Sequence, residues 1–269
     1  MMRPMRTLAA VPILSISLWG AGCLPSQSVP PVPAPSVSEV ASVSTGWVEI
    51  VPGMDRRQEP LLAASDSSSR IVLYRFDPVA YRLSFAAASS AQNVVDWSET
   101  MPSAALVANG GYFHEDKTSS GWLSASGVRI GARAFDLDKS GLLVGGDRPR
   151  IVDTATQVFP ADEGDALQSY PFLVKSGSAA VKEDSGKAAR RTFAGFDAAG
   201  RFYVGAVDNG VVTLHGLAKR LAELDIAWTH VLNLDGGPST GFRAKAGGWL
   251  EASPSWDVVP NVLVVTKRP

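Results

Sequence analysis

The sequence predicts an α+β fold in a single domain: a mixed, largely antiparallel sheet or sheets with a few flanking helices. Three observations carry this. Strand-like runs recur in pairs about turn residues, only one clear strand–helix–strand unit appears, and 25 glycines with 18 prolines supply many chain reversals. With 45% apolar and 19% charged residues, the chain can bury a sizeable core.

At the N-terminus, Arg3 and Arg6 precede an apolar run from Leu8 to Trp19, followed by Gly20, Ala21, Gly22 and Cys23. The run falls short of the roughly 20 apolar residues that span a bilayer, so residues 1–22 read as a cleaved export signal. Cys23, the only cysteine, directly follows the small residues as the lipid-bearing residue of a bacterial lipoprotein does. The expectation is a periplasmic or extracellular protein, tied to a membrane only if Cys23 is lipidated, the alternative being ordinary signal cleavage beside an incidental cysteine. Residues 23–46 carry Pro25, Pro30, Pro31, Pro33 and Pro35 and read as an extended tether. Residues 47–269 are then the folded domain.

Within the domain, 71–76 and 79–85 read as a hairpin about Asp77-Pro78, and 93–101 as a short helix stopped by Pro102. A buried strand over 104–108 delivers the chain to Asn109-Gly110-Gly111. Residues 191–196 and 201–207 form a second hairpin about 197–200, and Asp208-Asn209-Gly210 reads as a turn. Leu214, Leu217, Ala218, Leu221 and Leu224 share one helical face, with Thr213 as N-cap. The run Val231 to Asp235 is a strand whose alternation puts Asn233 and Asp235 on one face. Two polar residues closing a buried strand before Gly236-Gly237 are costly in a core and natural in a site.

Charge narrows the function. The formal net charge of −1 becomes more negative once Arg3 and Arg6 are cleaved away, which excludes the basic face that nucleic acid needs. One cysteine builds no thiol cluster, and no His-x-x-x-His or acidic loop has metal spacing, so no cofactor or metal is expected. A monomer is expected. Each glycine pair at a strand end frees main-chain amides for an anion, and two such ends suggest one shared site.

These segments resemble the phosphodiester glycosidase family. The matching pieces are 109–113, 170–174, Arg191-Thr192, the helix opening at 212–214, 233–237 and 259–265, in the family's order. Pro238 departs from the pattern, standing where the family commonly has a third glycine, and it removes an amide. The resemblance implies a hydrolase acting on a sugar joined through its anomeric carbon to phosphate, with a sugar-phosphate or glycan as partner.

The chemistry can also be argued directly. Glycosidases ordinarily use two carboxylates, but a phosphate leaving group, with a second pKa of about 6, needs little protonation. Asp235 is therefore the candidate nucleophile or general base, Arg191 the bidentate phosphate partner, and Asn109 and Asn233 the holders of sugar hydroxyls or of Asp235. Gly110, Gly111, Tyr112, Thr192, Gly236, Gly237 and Ser239 are expected around the substrate. Asp208, Glu115 and His230 are the reserve acid–base groups, although the polar residues after Tyr112-Phe113 are more often a solvated loop and a lone histidine is more often structural. The rival readings are a non-catalytic carbohydrate-binding or envelope scaffold domain, and a phosphodiesterase cleaving at phosphorus, which would ordinarily recruit metal ions. A serine hydrolase built on Ser239 lacks the Gly-x-Ser-x-Gly elbow.

Overall fold

The computed structural model describes residues 46–61, 69–130, 135–158 and 164–269. The predicted export signal, Cys23 and all of the tether but Gly46 lie outside these residues.

β1 (Val48–Val51), β2 (Met54–Pro60), β3 (Arg70–Phe76) and β4 (Tyr81–Gln92) lead to helix α1 (Val94–Glu99) and β5 (Ala104–Asn109). Short strands follow: β6 (Leu123–Ala125), β7 (Val128–Arg129), β8 (Gly141–Val144), β9 (Arg150–Asp153), β10 (Ala166–Ser169), β11 (Phe172–Lys175) and β12 (Ser178–Ala179). The chain ends with β13 (Ala189–Asp197), β14 (Phe202–Val212), α2 (Leu214–Ala222), β15 (Trp228–Asn233), β16 (Phe242–Ala246), β17 (Trp249–Ser253) and β18 (Val259–Lys267). One eight-stranded sheet runs β1-β2-β3-β14-β13-β15-β11-β12, and two five-stranded sheets run β17-β16-β5-β18-β4 and β7-β6-β10-β8-β9.

The domain is therefore largely β, with two α-helices among the described residues, rather than a balanced α+β fold. Every described strand pair is antiparallel, so the expected parallel component is missing from them. The strand–helix–strand unit is present as β14–α2–β15, but β13 lies between its two strands and no parallel ladder forms.

A core shared by the three sheets explains this. Tyr74, Phe76, Ala194 and Leu232 of the large sheet meet Leu106, Ala108, Phe242 and Leu263 of the second and Leu123, Leu143 and Leu167 of the third. On the outer face of the large sheet, Leu217, Ala218 and Leu221 of α2 pack against Phe193, Val207 and Val231. Each such buried side chain contributes about 1.5–3 kcal/mol relative to exposure.

The caps follow the sequence. Asn93 Oδ1 accepts from Val95 N and Asp96 N at 2.9 and 3.0 Å to start α1. Thr213 Oγ1 accepts from Gly216 N at 3.0 Å to start α2. The second hairpin forms, with Phe193 opposite Gly205.

Two expectations fail. β3 and β4 do not pair with each other. The turn after Phe76 carries the chain from the large sheet to β4, which pairs with β18, because Tyr74, Phe76, Tyr81, Leu83 and Phe85 all bury into the common core. Nor does the chain turn at 208–210. β14 passes through these residues with a register shift between Ala206 and Asn209 and continues to Val212.

Candidate functional site

The site forms where β5 and β15, from different sheets, end on paired polar residues. Asn109 closes β5 and is fully buried. Its Nδ2 donates to the Asp235 carbonyl at 2.8 Å, while its Oδ1 accepts from Thr192 Oγ1 at 2.7 Å and from Gly241 N at 3.1 Å. One amide thus ties the end of β5 to β13 and to both sides of the Asp235 turn. Asn109 and Thr192 spend these groups on one another and on the backbone, so they position the turn rather than face the cleft.

Gly110 and Gly111 are held by a second buried asparagine. Asn261 Oδ1 accepts from Gly111 N at 2.7 Å, and the Asn261 carbonyl accepts from Gly110 N at 3.1 Å. The amides that the sequence offers to a ligand at these glycines are therefore engaged. Gly110 is required by close approach, since a Cβ there would lie 2.1 Å from Asn261 Oδ1. The Gly110 carbonyl in turn accepts from Asp235 N at 3.1 Å, which sets the turn against the strand end.

Asp235 follows β15 after Leu234, whose N–H donates to the Thr192 carbonyl at 2.9 Å. Its Oδ1 accepts from Gly236 N at 2.8 Å, and Ser239 also hydrogen-bonds the carboxylate. Burial pushes the Asp235 pKa upward; the two hydrogen bonds and Lys117 oppose the shift, and Asp257 adds to it. The next turn is equally tight, because a Cβ on Gly236 would sit 2.9 Å from the Arg190 carbonyl. The Gly237 N–H takes no partner among the described residues.

Arg191 reaches the same turn. Its Nε donates to the Val212 carbonyl at 3.1 Å and its Nη2 to the Lys187 carbonyl at 2.7 Å. Its Nη1 lies 3.7 Å from the place a side chain at Gly236 would occupy. Burial lowers the Arg191 pKa, an effect opposed by the nearby Tyr112 phenol.

Tyr112 joins the pieces: its hydroxyl accepts from Asn233 Nδ2 at 2.6 Å, and its ring stands 5.0 Å from that of Tyr170. Burial, helped by the field of Asp235, raises the Tyr112 pKa, so the phenol remains protonated. Asn233 also donates to the Tyr170 and Leu234 carbonyls, while its buried Oδ1 has no partner.

The structure brings together Asn109, Gly110, Gly111, Tyr112, Arg191, Thr192, Asn233, Asp235, Gly236, Gly237 and Ser239. The reserve groups fall elsewhere. Asp208 sits within β14, 3.7 Å from Arg70, and His230 lies on the other face of β15 from Asn233, against the Phe172 ring at 5.7 Å. Glu115 is exposed at the tip of a tight turn in which His114 N and Thr118 O bond at 2.9 Å.

Sequence reasoning missed the roles of Tyr170, Asn261 and the Lys117–Asp257 pair, whose charged groups lie 3.7 Å apart beside the turn. Asn261 had a signal: an asparagine inside the apolar run 259–265, where an unpaired amide would be costly. Lys117 and Asp257 come from separate loops and had none.

Comparison with known proteins identifies the family and the fold. The phosphodiester glycosidase family model matches residues 102–266. Among solved structures, the zebrafish N-acetylglucosamine-1-phosphodiester alpha-N-acetylglucosaminidase catalytic domain is similar over 82% of this chain and 86% of its own, with TM-score 0.63 and 15% identity. A hypothetical protein from Synechocystis is similar over 82% of this chain and 63% of its own, with TM-score 0.57 and 15% identity. No curated protein matches by sequence.

Proposed function

The chain belongs to the phosphodiester glycosidase family, and from that premise we propose that it hydrolyses the glycosidic bond of a sugar-1-phosphodiester in glycans of the bacterial envelope or its surroundings. The observation that carries the proposal is that a desolvated carboxylate, Asp235, precedes the glycine, Gly236, beside which Arg191 Nη1 lies.

In this reading an Asp235 oxygen attacks the anomeric carbon, forming a glycosyl ester that water then hydrolyses to the free sugar, or it takes a proton from the water that attacks that carbon directly. The electron pair of the C1–O bond stays on the phosphate oxygen, and the leaving group departs as a phosphomonoester. With a second pKa of about 6, that group needs little protonation, which accords with a single prominent carboxylate in the cleft. Arg191 Nη1 and the Gly237 amide are placed to meet phosphate oxygens. Tyr112 and Tyr170 supply two aromatic faces suited to a sugar ring, and Asn233 holds the Tyr112 hydroxyl in place.

The name of the zebrafish relative makes an N-acetylglucosamine-1-phosphodiester the first substrate to try. Export, and a lipid on Cys23, would put the domain where such glycans occur. The test is a panel of sugar-1-phosphodiesters differing in sugar and anomeric configuration. The expected products are a free reducing sugar and a phosphomonoester, released by the unsubstituted protein and not by Asp235→Asn. Sugar binding with no release from any diester would instead favour a non-catalytic binding domain.

A further inference from the structure

At the far end of the second sheet from the Asp235 turn, β5, β18 and the β16–β17 hairpin border a cavity of about 750 Å³, a size usual for small-ligand pockets. β5 runs from Ala104, which lines this cavity, to Asn109 at the candidate site, a separation of roughly 17 Å along an extended chain. The cavity is thus a separate feature of the same strands.

Its charge is one-sided. Arg243, Lys245 and Lys267 line it, and among the described residues no aspartate or glutamate does. Arg243 is paired with Glu99 at 3.2 Å, but Lys245 and Lys267 make no ion pair among the described residues. In a chain with 25 basic and 26 acidic residues, this is a local excess of positive charge, and a concave wall concentrates its field.

The same wall carries Trp249, which stands opposite Ala246 across the hairpin. Its Nε1 donates to the Tyr74 hydroxyl at 3.2 Å. The Arg56 guanidinium, itself paired with Glu251 at 2.7 Å, lies over the indole at 5.6 Å from the ring centroid. The ring is half-buried and already ordered, so a ligand meeting its remaining surface does not bear the entropy of fixing it. An indole suits the apolar C–H face of a sugar ring, and ammonium groups suit carboxylate or phosphate oxygens. A neutral sugar would leave the lysines unused, and a bare anion would leave the indole unused.

We propose that this cavity is a second saccharide-binding site, for a sugar chain bearing carboxylate or phosphate groups, with a pyranose face on Trp249 and the negative groups beside Lys245 and Lys267. The site goes beyond the glycosidase reading and stands without it. Where both hold, the domain grips an acidic glycan at one end and cleaves at the other.

The test is calorimetry on the full chain with two acidic probes, tetragalacturonate and glucose 6-phosphate, and two controls, maltotetraose and inorganic phosphate. At low salt an acidic sugar should bind at least about tenfold more tightly than either control and weaken as salt is raised, and the tighter of the two probes identifies the anionic group. Lys245 and Lys267 are exposed, so replacing both by glutamine leaves the fold intact and should cost about tenfold in that affinity. Trp249→Ala should cost at least about fivefold. Cleavage of the small diester that the panel selects should stay within about twofold in the lysine variant, since the cavity lies away from Asp235. Unchanged affinity in the lysine variant, or equal binding of maltotetraose or of inorganic phosphate, would overturn the site. Acidic-sugar binding with no diester cleaved supports the site and counts against the glycosidase reading alone; cleavage with no acidic-sugar binding does the reverse.

Discussion

Asp208 and Asp235 are both carboxylates that burial pushes above the ordinary range, yet only one stands at a strand-end glycine turn. Asp208 lies in the interior of β14, 3.7 Å from Arg70 and within the field of Arg190, and its Oδ1 is buried without a hydrogen bond. Asp235 lies past the end of β15, where it accepts from a backbone amide and a serine and makes no arginine ion pair among the described residues. A perturbed carboxylate alone therefore does not mark a site. The difference comes from the strand end, where the glycine turn has open space at Gly237 and Arg191 Nη1 lies close to Gly236.

Substitution separates the two carboxylates most sharply. Asp235→Asn should lower kcat at least about a thousandfold, whereas Asp208→Asn should leave it within about threefold, both read on the diester that the panel selects. A comparable loss in both variants would erase the distinction. Arg191→Lys keeps the charge but loses the planar fork, and should reduce kcat/KM by about ten- to a hundredfold.

The scaffold beneath Asp235 is tested by stability. Asn109→Ala strands Thr192 Oγ1 and Gly241 N and releases the Asp235 carbonyl, and should cost about 2–4 kcal/mol in urea unfolding. The smallest effect concerns charge. Because the folded-state pKa of Asp235 is raised, deprotonating it opposes folding, so stability contributed by the protonated carboxyl is lost as pH rises through that pKa. Asp235→Asn should therefore melt above the unsubstituted protein at pH 7, with the gap closing toward pH 4; a constant gap would contradict the assigned burial effect.

Much of this was legible in the chain. Alternation and turn residues located the 191–207 hairpin, the helix capped by Thr213, and the strands leading to Asn109 and Asn233, because local patterning reports which face is buried. The same patterning misassigned 71–85 as a hairpin, since two strands burying into one core look alike whether or not they pair. It also stopped β14 at Asp208, where composition favoured a turn but the sheet continued through a bulge. The site was legible as two strand ends, yet Asn109 and the two glycine amides that follow β5 proved to be structural, taken by Thr192, Gly241 and Asn261. Which donors a buried amide finds is fixed by long-range contacts, and Asn261 lies 150 residues from Gly111.

Attack on the sugar side of the phosphodiester is the step on which the proposed reaction stands. It is tested most directly by a turnover in water enriched in oxygen-18, with both products analysed by mass spectrometry. The label is predicted at the anomeric hydroxyl of the released sugar, with none in the phosphomonoester. Label in the phosphate would mean attack at phosphorus and would contradict the role given to Asp235.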